Sequence, residues 1–243
     1  MTDVVFLGTG NYLAPGRYWN SFVLDGSILV EPSPTVLPNL RRCGLHVDAI
    51  EVVVISHFHA DHTFGWPFLL LELVHSRRAR PLFIVGPPGV ETYLAGMMQL
   101  GGVANVQKES AALDLRYVEA EGSWQQAGPL RLRSIAVAHV PHLECFGYLL
   151  ALGPRVIGYS GDTRPCPGLD DLAAGADVLI VECNSAHPPK PPLPVTHMDL
   201  ESIGALRNRF PDLPFVLTHL GADVDTTDIP GVTVAEDFAR MTI

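Results

Sequence analysis

Apolar residues in this chain come in short, β-branched runs that stop at glycine, proline, aspartate or histidine, and few stretches keep a helical repeat. These runs predict strands at 3–7, 21–24, 27–31, 50–56, 81–85, 115–119, 130–138, 146–152, 155–160, 177–182 and 214–218. Spacing of three and four predicts helices at 68–76, 89–100 and 169–174, another after Thr196, and a short one at 235–241. Thr196, followed three residues on by Asp199, has the form of a capping box, so the helix there is expected to start near His197. Glycine and proline are spread along the chain, apart from Pro188-Pro189-Lys190-Pro191-Pro192-Leu193-Pro194, which reads as an extended loop. No linker divides the chain and no repeat suggests a solenoid, so residues 1–243 are expected to form a single domain. Strands first, then helices interleaved with strands, suit a layered α/β sandwich better than a barrel.

Composition narrows the function. With 47% hydrophobic and 17% charged residues the chain has ample core material. Lysine and arginine number 16 against 26 acidic residues, a net charge of −10, so no general basic surface exists for gripping nucleic acid. The apolar runs fall well short of the ~20 residues that span a bilayer, so no membrane partner is expected. The opening Met1-Thr2-Asp3-Val4-Val5-Phe6-Leu7 lacks a basic segment before an apolar run, and a cytoplasmic location is expected. Cys43, Cys145, Cys166 and Cys183 are too dispersed for a CxxC zinc site and read as reduced thiols.

Chemistry concentrates after one strand. The run Ile50-Glu51-Val52-Val53-Val54-Ile55-Ser56 delivers His57, His59, Asp61 and His62 within six residues, at a strand's C-terminal end, where α/β sheets place ligands. In an extended chain His57 and His59 share a face and can grip one ion together. Asp61 and His62, past the turn, point elsewhere, which fits a second ion beside the first. Imidazole with carboxylate suits zinc, iron or manganese.

The run His57-Phe58-His59-Ala60-Asp61-His62 resembles the H-x-H-x-D-H signature of the metallo-β-lactamase superfamily, in its ribonuclease Z, arylsulfatase and phosphodiesterase-like branch. Gly8-Thr9-Gly10 with Asn20-Ser21, Gly86-Pro87-Pro88-Gly89, Ser160-Gly161-Asp162-Thr163 and Thr218-His219-Leu220 resemble further motifs of that branch. The resemblance implies a four-layer αββα sandwich, α/β in class, with two mixed sheets flanked by helices. It also implies two divalent metal ions, zinc first with manganese or iron as alternatives. His57, His59 and a third histidine would hold one, Asp61, His62 and His219 the other, with Asp162 bridging. His139 and His142 compete for the third place. The alternation Ile135, Val137, His139 favours His139.

Such a pair of cations activates a shared water, so the nucleophile would be hydroxide rather than a side chain. No Gly-x-Ser-x-Gly elbow contradicts this. Asp61 can bind metal and accept the water proton, and the resemblance makes His197 the proton donor to the leaving group. Glu182 is either a carboxylate steadying a ligand histidine or a solvated strand end. Arg77-Arg78-Ala79-Arg80 reads as a polar helix stop before it reads as a phosphate contact. His46, His75 and His187 read as ordinary surface histidines, and Tyr18, Trp19 and Phe64-Gly65-Trp66 as core unless they wall a pocket.

The expected function is hydrolysis of a phosphodiester or related small ester, with an anionic small molecule as substrate. Ribonuclease Z-like tRNA 3′ processing, with a nucleic acid partner, is an alternative. It is weakened by the acidic charge and by the lack of a long basic arm between His62 and His139. A lactonase or thioesterase, and a non-catalytic metal-containing module that binds a metabolite, are further alternatives. The resemblance also leaves a homodimer open.

Overall fold

The first sheet starts with three short antiparallel strands, β1 (Asp3–Gly8), β2 (Ser21–Leu24) and β3 (Ile28–Val30), and continues in parallel through β4 (Val52–Val54), β5 (Leu82–Gly86) and β6 (Leu115–Glu119). The second sheet is antiparallel through β7 (Trp124–Ala127), β8 (Leu130–Val137), β9 (Cys145–Leu152) and β10 (Arg155–Tyr159). It then turns parallel through β11 (Val178–Glu182), β12 (Phe215–Thr218) and β13 (Val232–Val234), while β14 (Arg240–Thr242) returns to the edge of the first sheet beside β1. The helices are α1 (Val36–Arg42), α2 (Ala60–Thr63), α3 (Trp66–His75), α4 (Val90–Leu100), α5 (Ala104–Glu109), α6 (Pro167–Gly175) and α7 (Leu200–Arg209). This computed structural model describes residues 1–224 and 229–243.

Strand alternation builds the layers. On β1, Val4 and Phe6 enter the core between the sheets, while Val5 and Leu7 pack against α1, α3 and α4 on the far side. On β11, Val178 and Ile180 face the inter-sheet core, and Leu179 and Val181 meet α6 and α7. Both faces of each sheet are therefore apolar, and helices must cover the outer ones. The result is the expected αββα sandwich with two mixed, seven-stranded sheets.

Two local expectations fail. Residues 235–241 form no helix; Val5, Val4 and Asp3 of β1 instead pair with Arg240, Met241 and Thr242. That pairing satisfies the backbone of a segment with too little local propensity to fold alone. The last long helix starts at Leu200 rather than near His197, because Asp199 is the cap and its carboxylate accepts from the Ser202 amide at 2.8 Å. Thr196 is engaged elsewhere, its carbonyl accepting a bond from His139. Sequence pattern also missed β7, β13 and the helices α1, α2 and α5, all seven residues or shorter.

Candidate metal centre

The site gathers at the C-terminal ends of strands from both sheets. His57 follows β4, His139 follows β8, Asp162 follows β10, Glu182 ends β11 and His219 follows β12. The loop after β4 stays extended to His59, which has φ −70° and ψ 151°, and α2 begins at the next residue. The rings of His57 and His59 consequently sit 4.6 Å apart between centroids, and α2 swings Asp61 and His62 to the neighbouring side. Tyr93 of α4 clamps this loop. Its ring stacks on Phe58 at 4.1 Å, and its hydroxyl donates to the Phe58 carbonyl at 2.8 Å.

Two groups of donors result. Single donor atoms of His57, His59, His139 and Asp162 lie within 4.8 Å of one another, as do those of Asp61, His62 and His219. Asp162 lies between them, with Oδ2 3.8 Å from His57 Nε2 and 3.5 Å from His219 Nε2, and Oδ1 3.4 Å from His62 Nε2. Of the two candidates for the third place, His139 is buried with Nε2 3.3 Å from His59 Nδ1, whereas His142 is exposed with its ring centroid 6.5 Å from that of His59. His139 Nδ1–H donates to the Thr196 carbonyl at 2.8 Å, which fixes the tautomer and leaves the Nε2 lone pair facing the others.

Electrostatics divide the histidines. Burial holds His57 and His59 below the ordinary imidazole value and takes His139 down to about 4, so all three are neutral and ready to donate lone pairs. Burial also opposes charge on His62, but Asp162 and Glu31 override it and raise that group well above its usual value. Burial works against the Asp61 and Asp162 anions too; neighbouring imidazoles prevail and hold both carboxyls low. His197 is desolvated as well, yet Glu182 lifts it to about 9. The pocket thus has a negative field that draws positive charge inward.

Its polar atoms also lack partners. His62 Nδ1 and Nε2, His219 Nδ1 and Nε2, and Asp162 Oδ1 are buried without a hydrogen bond. Folded proteins seldom leave such atoms orphaned. Imidazole nitrogens and carboxylate oxygens at these separations fit divalent cations, which would take up the orphaned lone pairs.

Two supporting carboxylates differ in how legible they were. Glu182, the strand-end candidate, is buried; it accepts from the Thr163 amide at 2.6 Å and contacts His197 Nδ1 at 2.9 and 3.0 Å. Glu31 escaped sequence reading. It is buried at a left-handed φ of 58° just past β3, accepts from the Ser56 amide at 3.2 Å and the Tyr159 hydroxyl at 3.0 Å, and lies 3.6 Å from His62 Nδ1. A glutamate directly after a fully buried apolar strand was the available signal. His219 is likewise left-handed, at φ 51°.

A cavity of about 830 Å³ opens over the site, lined in part by His59, Asp61, Asp162, His197 and His219, and walled by Tyr12, Trp19, Pro34, Phe64, Phe68 and Val140. Trp19 and Phe64 are therefore pocket walls, whereas Trp66 is buried in the core and Tyr18 packs on Phe238. Arg78 is tied down structurally, donating to the carbonyls of Arg80, Asp48 and Pro81. His46, His75 and His187 are exposed and away from the site. All four cysteines are free, and burial pushes the Cys145 thiol up to about 11. No helix among the described residues is long and apolar enough to cross a membrane.

The profile of the Beta-lactamase superfamily domain matches residues 27–220, which include every donor named above. The chain belongs to this superfamily. Among curated superfamily relatives, the ribonuclease Z of Lachnoclostridium phytofermentans is 31% identical over 235 residues, covering 75% of this chain and 74% of that protein. The ribonuclease Z of Lachnospira eligens is 26% identical over 191 residues, 74% of this chain but only 60% of the relative, so the chain spans less than two thirds of that protein. The metallo-beta-lactamase fold protein YhfI of Bacillus subtilis superposes with a TM-score of 0.78 at 19% identity, covering 99% of this chain and 98% of that one.

Proposed function

We propose that this superfamily member hydrolyses a phosphodiester or related small ester with the aid of two divalent cations, zinc first and manganese or iron as alternatives. The observation that carries the reading is the set of partnerless His62, Asp162 and His219 atoms beneath a cavity lined, among the described residues, by no lysine or arginine. Each buried polar atom left unsatisfied costs about 1–3 kcal/mol, so the cluster is built to be completed by something else. In this assignment His57, His59 and His139 would hold one cation and Asp61, His62 and His219 the other, with the Asp162 carboxylate between the two groups available to either. When bound, the cations would supply Lewis acidity, lowering the pKa of water and offsetting charge on the attacked group.

The chain's own groups handle the protons. Asp61, kept ionised, accepts the proton of the attacking water. The water oxygen bonds to phosphorus as the bond to the leaving oxygen breaks, and His197 gives that oxygen its proton. Glu182 holds His197 by Nδ1 in the charged form, so the histidine carries a proton to give near neutral pH. The free thiols fit a reducing, cytoplasmic compartment.

The relatives named ribonuclease Z favour a second reading, tRNA 3′ processing. The net charge of −10 and a cavity lined, among the described residues, by no lysine or arginine count against it, since polyanion binding rests on released counterions. The test is hydrolysis of bis(p-nitrophenyl) phosphate with added zinc or manganese, which Asp61→Ala is expected to abolish. Cleavage of a tRNA precursor at its 3′ side with no activity on the diester transfers the assignment to the ribonuclease. Preference for lactones or thioesters moves it to acyl hydrolysis. Metal-replete inactivity on all of these leaves a binding module.

A further inference from the structure

A groove of about 560 Å³ runs between α3 and α4, and Phe64 and Phe68 line both it and the cavity over the metal centre. Leu71 comes from α3, and Tyr93, Met97 and Leu100 from α4; no charged side chain lines the groove among the described residues. Phe64, Phe68 and Leu100 are 50%, 56% and 93% exposed, although large apolar side chains gathered on one surface are unfavourable unless something covers them. We infer that this groove receives a bulky apolar substituent of the substrate, an alkyl or aryl group carried by the ester that reacts at the metal centre. The inference rests on the hydrolase reading and names its substrate class.

Three features select this occupant. The groove is concave and borders the reactive cavity, sharing Phe64 and Phe68 with it, so a group lying in it can belong to a molecule whose other end reaches over those rings to Asp162 and His197. Its volume, within the range of small-molecule sites, suits a bulky substituent. The groove also offers nothing to a polyanion, whereas apolar surface removed from water favours an alkyl or aryl chain directly. Tyr93 couples the two regions physically, since its ring lines the groove while its hydroxyl holds the Phe58 carbonyl between the two histidines of the metal loop.

The experiment compares methyl p-nitrophenyl phosphate with hexyl p-nitrophenyl phosphate, which share a leaving group and nearly the same electronics, on the zinc- or manganese-loaded protein. The hexyl ester is expected to show a kcat/KM at least about tenfold higher, since even one methylene in an apolar pocket is worth about tenfold or more. Phe68→Ser and Leu100→Ser, both at exposed positions, are each expected to pull the ratio toward one. Calorimetry with methylphosphonate and hexylphosphonate should give the same preference in binding, and the same loss in the variants. Equal rates on both esters overturn the groove assignment and leave the hydrolase reading standing. Failure to hydrolyse either ester sinks the hydrolase reading and this inference with it. Equal rates together with a dimer that Leu100→Asp splits would give the groove to a second copy of the chain, which likewise overturns the proposal.

Discussion

Both carboxylate oxygens of Glu182 lie within 3.0 Å of His197 Nδ1, one of them at 2.9 Å. The contact fixes a proton on Nδ1 and leaves Nε2 as the atom available to the cavity that His197 lines. Removing the carboxylate charge while keeping its shape should therefore damage proton delivery more than binding. Glu182→Gln is expected to lower kcat by about 100-fold on esters with poor leaving groups, and far less on p-nitrophenyl esters, whose leaving oxygen needs little protonation. The measurement is a leaving-group series at saturating substrate, with metal content checked alongside.

His139 and His142 separate cleanly in the structure, and metal stoichiometry should separate them too. His139→Ala is expected to lose about one of two bound cations per chain, or to weaken that cation 10-fold to 100-fold or more, because a ligand is worth at least as much as the groups that orient it. His142→Ala should keep full loading. Elemental analysis of both purified variants reads the result; retention of two cations in His139→Ala would refute the assignment.

Chelation provides a third check. The partnerless atoms of His62, Asp162 and His219 are a fault in the metal-free protein that bound cations would repair. At free metal about 1,000 times its Kd, binding should add about 4 kcal/mol to folding stability. Treatment with a chelator is expected to lower the Tm by several degrees, and zinc to restore it. A Tm that ignores both would contradict the site.

Gly161 sits at φ 57°, and a methyl placed on it would come within 2.7 Å of the Ser56 Cβ and 2.8 Å of the Phe146 carbonyl oxygen. Gly161→Ala is expected to destabilise the fold by more than about 1 kcal/mol, through left-handed strain and the clash together. It should also displace its neighbour Asp162, so diester hydrolysis should fall with the Tm.

Arg78 tests the basic run. Its guanidinium is buried against three backbone carbonyls. Arg78→Ala should cost about 2–3 kcal/mol in a denaturant titration, since hydrogen bonds from charged groups are the stronger ones, and leave kcat/KM unchanged.

The legible parts of this protein were those whose information is local. Continuous apolar runs marked the central strands because both faces of each sheet are buried, and the dense histidine and aspartate after β4 announced the donor cluster because few folds tolerate such a cluster. Other features depended on partners far along the chain. Arg240–Thr242 becomes a strand only because Asp3–Val5 offers an open edge. Glu31 is one glutamate among many until β4 and β10 bring Ser56 and Tyr159 to it. Thr196 with Asp199 has the form of a capping box, yet it is the Asp199 carboxylate that caps the helix, while the Thr196 carbonyl meets His139, 57 residues earlier.

The absence of lysine and arginine from the cavity lining, among the described residues, has a kinetic consequence. An anionic ester approaches a body of net charge −10 with no lysine or arginine among the described residues that line the cavity to guide it, so the long-range force on it is repulsive until it nears His197 and the cations proposed for the floor. Added salt shortens the reach of that repulsion. Encounter should then quicken as ionic strength rises, the reverse of what proteins that recruit polyanions show.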